Sequence, residues 1–394
     1  MVKKHWKQQT RLVHEGQNRS PYGETAEAMY LTSGYVYDSA EQAEARFREE
    51  DDGFIYSRFG NPTVRAFEER MIALEGTQDA RATATGMAAV TATMMSQLQT
   101  GDHIVAARAL FGSCRYVVET LMPKFGVACT LVDGRDIDAW KAAIRPETKV
   151  LFLETPSNPL LEIVDMQAVA DLAHENGARL VVDNVFATPI LQRPTDFGAD
   201  IVVYSATKHI DGQGRCLGGV ILGDQSFIQD ELANFLRQTG PSLSPFNAWV
   251  MLKALETLAL RVDAHCHNAE KLTEFLVNHA QIERVYYPSH ASHPQHNLAM
   301  KQMSRGGNLI AFDVKGGKAN AFKFANALQI ALISNNLGDA KTLITHPATT
   351  THFKLDEAAK TELGITGGSM RVSIGLEDGD DLVHDFDQAL AQLA

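Results

Sequence analysis

Residues 1–60 are polar, rich in tyrosine and glycine, and show no sustained hydrophobic period, which predicts an arm that packs onto another surface rather than an independent domain. Asn61-Pro62-Thr63 then starts an amphipathic helix in which Val64, Phe67, Met71, Ile72 and Leu74 recur at near-helical spacing. From about 80 to 225, short apolar runs alternate with helical stretches such as 166–175. The runs, at 104–106, 129–132, 150–153, 180–182 and 201–203, are largely β-branched and predict strands. Strands alternating with helices predict an α/β fold: a mostly parallel central sheet covered by helices, with its site at the carboxyl ends of the strands. Past about 245 the pattern changes to a long helical stretch, 245–280, then fewer strands and a final amphipathic helix at 381–393. The expected division is an arm at 1–60, a cofactor-binding α/β domain at 61–245 and a smaller C-terminal α+β domain at 246–394.

Composition narrows the partners. The 394 residues are 45% hydrophobic and 21% charged, ordinary values for a globular protein with a large core. A net charge of −12 argues against a nucleic-acid partner, whose phosphates favour a basic surface. No apolar run approaches the roughly 20 residues that span a bilayer, and the basic start Met1-Val2-Lys3-Lys4-His5-Trp6-Lys7 has no apolar signal core behind it. Cys114, Cys129, Cys216 and Cys266 form no CxxC pair and read as reduced, mostly buried side chains, so the expected location is the cytoplasm. No metal is expected: His265 and His267 diverge on a helix, and Pro288 and Pro294 interrupt the spacing of His290, His293 and His296.

The chemistry concentrates in Tyr204-Ser205-Ala206-Thr207-Lys208-His209, directly after the run Ile201-Val202-Val203. A strand-end lysine taken alone is an ordinary solvated residue. Asp183 changes that, because it closes the earlier run Leu180-Val181-Val182 at the same kind of position. A lysine amine that forms a Schiff base and an aspartate that faces a pyridinium nitrogen are the two protein groups pyridoxal 5'-phosphate most needs. Gly86 and Met87 open a helix whose start can cradle a phosphate, and Ser205 and Thr207 add hydroxyl donors beside the lysine. Tyr56 and Arg58 offer a phenol and a guanidinium from the arm, while Arg371, in a strand flanked by glycines, suits bidentate capture of an amino-acid carboxylate.

These residues sit in longer motifs. Ser205-Ala206-Thr207-Lys208-His209-Ile210-Asp211-Gly212 resembles the cofactor-lysine signature of the Cys/Met-metabolism pyridoxal phosphate enzymes. So do Tyr56-Ser57-Arg58 with Asn61-Pro62-Thr63, Glu154-Thr155-Pro156-Ser157-Asn158-Pro159, Val182-Asp183-Asn184 and Arg371-Val372-Ser373-Ile374-Gly375-Leu376-Glu377-Asp378, in the family's order over essentially the whole chain. The resemblance implies the fold-type I, aspartate-aminotransferase-like architecture and a homotetramer built as a dimer of dimers, with Tyr56 and Arg58 reaching a neighbour's phosphate. It implies Lys208 as the catalytic base, Asn158 on the cofactor's phenolic oxygen, and Arg371 with Asn158 and Asn336 around the substrate. Phe111 stands where most relatives have a tyrosine; it stacks without a hydroxyl, which moves proton traffic onto Lys208. Asn336 stands where relatives often have serine.

Leu110-Phe111-Gly112-Ser113-Cys114, His209 to Arg215 and Ser334 to Lys341 resemble the branch that exchanges the γ-group of O-succinyl-L-homoserine for sulfide, giving L-homocysteine and succinate. Rivals are the same replacement on an O-acetyl ester, cysteine as the nucleophile, and γ-elimination from methionine or cystathionine. A silent binding protein on this fold is the remaining alternative, and intact Lys208, Asp183, Arg58 and Arg371 argue against it. Arg108, Arg115 and Lys341 are candidates for the extra carboxylate of a succinyl group.

Overall fold

The computed structural model describes residues 6–17 and 19–393, so the basic N-terminal stretch 1–5 lies outside the described residues. Seven strands, β1 (Asp79–Thr83), β2 (His103–Ala107), β3 (Ala128–Val132), β4 (Thr148–Glu154), β5 (Arg179–Asp183), β6 (Ile201–Ser205) and β7 (Gly219–Gly223), are followed by β8 (Ile282–Tyr286), β9 (Leu309–Val314), β10 (Leu332–Ile333), β11 (Leu343–Thr345) and β12 (Ser369–Ser373). All five apolar runs read from the sequence are strands. Two more, β1 and β7, join them.

The chain divides into two compact units. The first comprises residues 1–97, 203–207 and 216–257. Its strand order is β1-β7-β6, with β1 antiparallel to β7 from Asp79↔Gly223 to Thr83↔Gly219. The helix Pro62–Glu75 starts where expected. The Asn61 side chain accepts from the Thr63 and Val64 amides, Pro62 needs no donor there, and Gly76 closes the helix at φ 85°. Its buried Arg70 is the anchor of this unit. Nε donates to the Glu15 carbonyl at 2.8 Å, Nη1 to the Leu252 carbonyl at 3.0 Å and Nη2 to Glu27 Oε1 at 2.7 Å. Lys253 also pairs with Glu27, at 3.0 Å. Arm residues 15 and 27 are thereby tied to two helices by a desolvated charge network.

The second unit comprises 98–202, 208–215 and 258–394. From β6, where the chain passes between the units, its order is β6-β5-β4-β2-β3, and β5, β4, β2 and β3 are mutually parallel. The helix Met166–Glu175 begins where the Asp165 carboxylate accepts from the Ala168 amide. A five-stranded sheet, β10-β11-β12-β9-β8, belongs to the same unit. Ile310, Phe312 and Val372 from its strands pack with Leu272 and Leu276 of the helix Leu258–Val277, Phe324 of Gly317–Ala327, and Leu382 and Phe386 of Gly379–Ala391. The stretch expected as one helix over 245–280 is two, Pro245–Leu255 and Leu258–Val277.

Among the described residues no helix is long and apolar enough to cross a membrane. Arg70→Ala should destabilise the protein by about 3 kcal/mol or more, because it leaves Glu27 buried beside a single remaining cation. Denaturant unfolding of the cofactor-saturated protein measures this.

Candidate active site

In the second unit, Glu154 and Asp183 end neighbouring parallel strands as register partners. Both face the carboxyl ends, where a parallel sheet leaves room for a ligand. Asp183 is buried and accepts one amide hydrogen bond, from Val185 at 3.1 Å. Burial raises its pKa to about 7. The Cys114 thiol stands 4.0 Å from its other oxygen. Glu154 is pushed well above the usual carboxylate range by burial and then by Asp183, while its Oε2 accepts from the Phe111 amide at 2.8 Å. These carboxyls therefore sit where one negative charge is easier to hold than two.

Lys208 lies three residues beyond the end of β6. Its Nζ donates to Asn336 Oδ1 at 2.5 Å. Burial, then the Arg371 cation, lowers its pKa to about 8. Arg371, from the centre of β12, is fully buried; its Nη1 donates to Asn158 Oδ1 at 2.7 Å and Nη2 to the Asn335 carbonyl at 3.0 Å. Its Nε is buried and has no hydrogen-bond partner among the described residues. One donor of a desolvated guanidinium is thus left for an incoming acceptor, and burial depresses the group to about 10. Lys208, Asn336, Asn158 and Arg371 form one connected set, and Glu154 links Phe111 to Asp183's strand end.

The remaining expected residues lie in the first unit. A Cβ on Gly86 would come within 2.5 Å of Ser205 Cβ, so the helix Gly86–Gln97 approaches the end of β6 as only glycine permits, and Met87 follows in its first turn. Thr207 Oγ1 accepts from the Gly218 amide at 3.1 Å. Gly86, Ser205 and Thr207 thus join a helix N-terminus to hydroxyl side chains, the donor set a phosphate requires. Tyr56 and Arg58 sit on the arm: Arg58 lies over the Phe59 ring at 4.8 Å and donates to the Arg237 carbonyl. They line an open cavity of about 390 Å³ with Ser242 and Leu243.

Residues the sequence reading did not assign are Glu154, Cys114, Asn335 and His352. Glu154 carried a signal, since it closes a buried strand as Asp183 does. His352, buried near Arg371, is held at a pKa of about 4 by burial and that cation, and nothing in its loop announces this. Of the candidate cations for a second carboxylate, Arg108 pairs with Glu362, Arg115 with Glu119 and Lys341 with Asp339.

With this geometry in view, the comparisons can be placed. Residues 9–391 match the model of the Cys/Met metabolism PLP-dependent enzymes, and the chain belongs to that family. It is 51% identical over 385 residues to the O-succinylhomoserine sulfhydrylase of Mycobacterium tuberculosis, covering 96% of this chain and 94% of that protein. To the O-succinylhomoserine sulfhydrylase of Pseudomonas aeruginosa it is 49% identical, covering 98% and 95%. A solved structure of a putative O-acetylhomoserine (thiol)-lyase from Campylobacter jejuni superposes with a TM-score of 0.94 at 32% identity, covering 98% of this chain and all of that one. That structure carries N'-pyridoxyl-lysine-5'-monophosphate. The protein is therefore a PLP-dependent enzyme, with the aminotransferase-like α/β fold its sequence implied. Each unit by itself holds residues that suit the group: an amine of depressed pKa and a buried carboxyl in the second, and a glycine-opened helix start with hydroxyl neighbours in the first.

Asp183→Asn tests the electrostatic part. A pKa raised on folding means the stability present below about 4 is lost as pH rises through about 7. The apo variant should therefore be more stable than wild type above pH 7, by on the order of 1–4 kcal/mol, while its turnover with cofactor falls about 100-fold or more. Thermal unfolding across pH and steady-state rates measure the two effects.

Proposed function

We propose that the chain is a PLP-dependent transferase of methionine biosynthesis, converting O-succinyl-L-homoserine and sulfide into L-homocysteine and succinate. The observation that carries this is its near-full-length identity of 51% and 49% to two O-succinylhomoserine sulfhydrylases. Lys208, Asp183, Asn158 and Phe111 would hold the cofactor's aldehyde, ring nitrogen, phenolic oxygen and ring face, and Gly86, Met87, Ser205 and Thr207 its phosphate. When bound, the cofactor supplies an aldehyde that takes the substrate amine and a ring that accepts electrons from the substrate carbons.

The chain's residues do the rest. Arg371 binds the α-carboxylate through its open Nε, with Asn158 and Asn335 fixing the guanidinium plane. The amine of Lys208, neutral once free, takes the proton from Cα. Once it has handed that proton on, the same amine takes a second from Cβ as the γ-oxygen departs with succinate; after sulfide adds at Cγ, protons return to Cβ and then to Cα. A flexible lysine reaches both carbons; Asn336, 2.5 Å from Nζ, marks one end of that reach. Asp183 holds the proton at the ring nitrogen. Phe111 has no hydroxyl to give, so more of these transfers fall on Lys208, which counts against elimination.

The assembly we infer is a homotetramer in the cytoplasm, a dimer of dimers in which the arm packs on a neighbour and Tyr56 and Arg58 of the partner subunit complete the phosphate site. The arm's exposed Tyr22, Leu31, Val36 and Phe47 support this, since a monomer gains nothing by leaving them in water.

Product analysis tests the reaction. Homocysteine should form from O-succinyl-homoserine only with sulfide, and faster than from O-acetyl-homoserine; 2-oxobutyrate dominating with sulfide present would make the chain a γ-lyase. Lys208→Ala should abolish turnover together with the visible absorbance of lysine-bound cofactor.

A further inference from the structure

The residue after the cofactor lysine is a histidine whose contacts lead away from the cofactor. His209 is buried, and its Nε2 lies 2.7 Å from Asn308 Oδ1. Asn308 in turn donates from Nδ2 to Ser373 Oγ at 3.0 Å and to the Ile374 carbonyl at 3.1 Å. With both of those acceptors on Nδ2, Oδ1 must accept, so His209 carries its proton on Nε2. Ser373 Oγ also accepts from the Gly338 amide, at 2.8 Å. The chain of bonds thus runs from the lysine's neighbour to the strand that bears Arg371, and on to the loop that bears Asn335 and Asn336.

That loop passes close to the imidazole at Gly338. Gly338 has φ +70°, and a Cβ there would stand 2.6 Å from the His209 amide nitrogen and 2.9 Å from Cγ. Arg261 Nη1 donates to the His209 carbonyl at 2.7 Å, which fixes the histidine's backbone as well. Burial lowers the imidazole to about pKa 4, so it remains neutral and keeps one tautomer over the working range. From this loop the Asn335 carbonyl accepts from Arg371 and the Asn336 side chain accepts from Lys208.

We propose that the His209–Asn308–Ser373 hydrogen-bond chain, with Gly338 packed against the imidazole, is a positioning device that sets Asn335 and Asn336 between Arg371 and Lys208 and thereby determines how tightly the substrate's α-carboxylate is held. His209 touches neither substrate nor reacting atoms; it acts through the loop. The inference rests on the reading of Arg371 as the carboxylate anchor, and it extends to any amino acid the site accepts.

The test uses the holoenzyme and L-alanine, which has the α-amine and α-carboxylate but no γ-leaving group, titrated through the cofactor's visible band. His209→Phe keeps the ring volume and removes the donor; Ser373→Ala removes one hydroxyl. Each should weaken L-alanine binding about tenfold, the cost of one lost buried hydrogen bond. The double variant should lose no more than the worse single one, because both cut the same chain. His209→Gln, which restores an N–H near Nε2, should recover most of the affinity. With O-succinyl-homoserine the effect should appear in KM for the ester, with KM for sulfide within about twofold of wild type, a split that general loosening of the fold does not produce. Should His209→Phe fail to fold, Ser373→Ala alone carries the comparison. Unchanged L-alanine binding, additive losses, or a parallel rise in KM for sulfide would overturn the proposal. Wild type that binds L-alanine yet makes no homocysteine would instead overturn the reaction assigned above and leave the positioning result standing.

Discussion

Desolvation of ionisable groups is the constraint on which this site depends. Lys208, Asp183, Glu154 and Arg371 belong to the second unit, and burial is the first cause of the pKa shift in each. It moves the lysine down and the carboxyls up, so all are drawn toward neutrality together. For Asp183 the move from 3.8 to about 7 corresponds to roughly 4 kcal/mol. A cation about 4 Å away in a medium of effective dielectric near 20 contributes about the same amount. A cation placed beside Asp183 would therefore offset the burial that disfavours its ionised form.

The scaffold supplies the positions at which such shifts do useful work. The parallel register of β4 and β5 places Glu154 beside Asp183, and the Phe111 amide donates to Glu154. Arg371 comes from the other sheet of the same unit, where β12 is flanked by β11 and β9 and every residue of the strand is buried. A guanidinium can be kept there only because Asn158 and Asn335 occupy two of its donor groups. Its Nε remains for a carboxylate. The same burial that makes Arg371 costly makes it selective for an anion.

Much of this was legible in the chain itself. The apolar runs at 150–153, 180–182 and 201–203 are strands because fully buried parallel strands select apolar residues; Asp183 stands out as a charge closing the second and Lys208 as one just beyond the third. Asn61, Pro62 and Gly76 announce both ends of one helix. Strand β1, Asp-Ala-Arg-Ala-Thr, carries no such signal; its five pairings with β7 hold it in the sheet despite poor propensity. The break between Leu255 and Leu258 falls in Glu256-Thr257, which contains neither glycine nor proline. The His209–Asn308 and Asn308–Ser373 bonds join residues 99 and 65 positions apart, separations no local pattern encodes.

The central claim is that burial brings the titration of the Lys208 amine down to about 8, within reach of physiological pH. Capture of pyridoxal 5'-phosphate by the apoenzyme reads this directly, since only the unprotonated amine attacks the aldehyde. Followed by absorbance across pH, the capture rate should rise and level off with a midpoint at about 8. A midpoint near the ordinary lysine value of 10.5 would contradict the account, because the amine would then be no more desolvated than one on the surface.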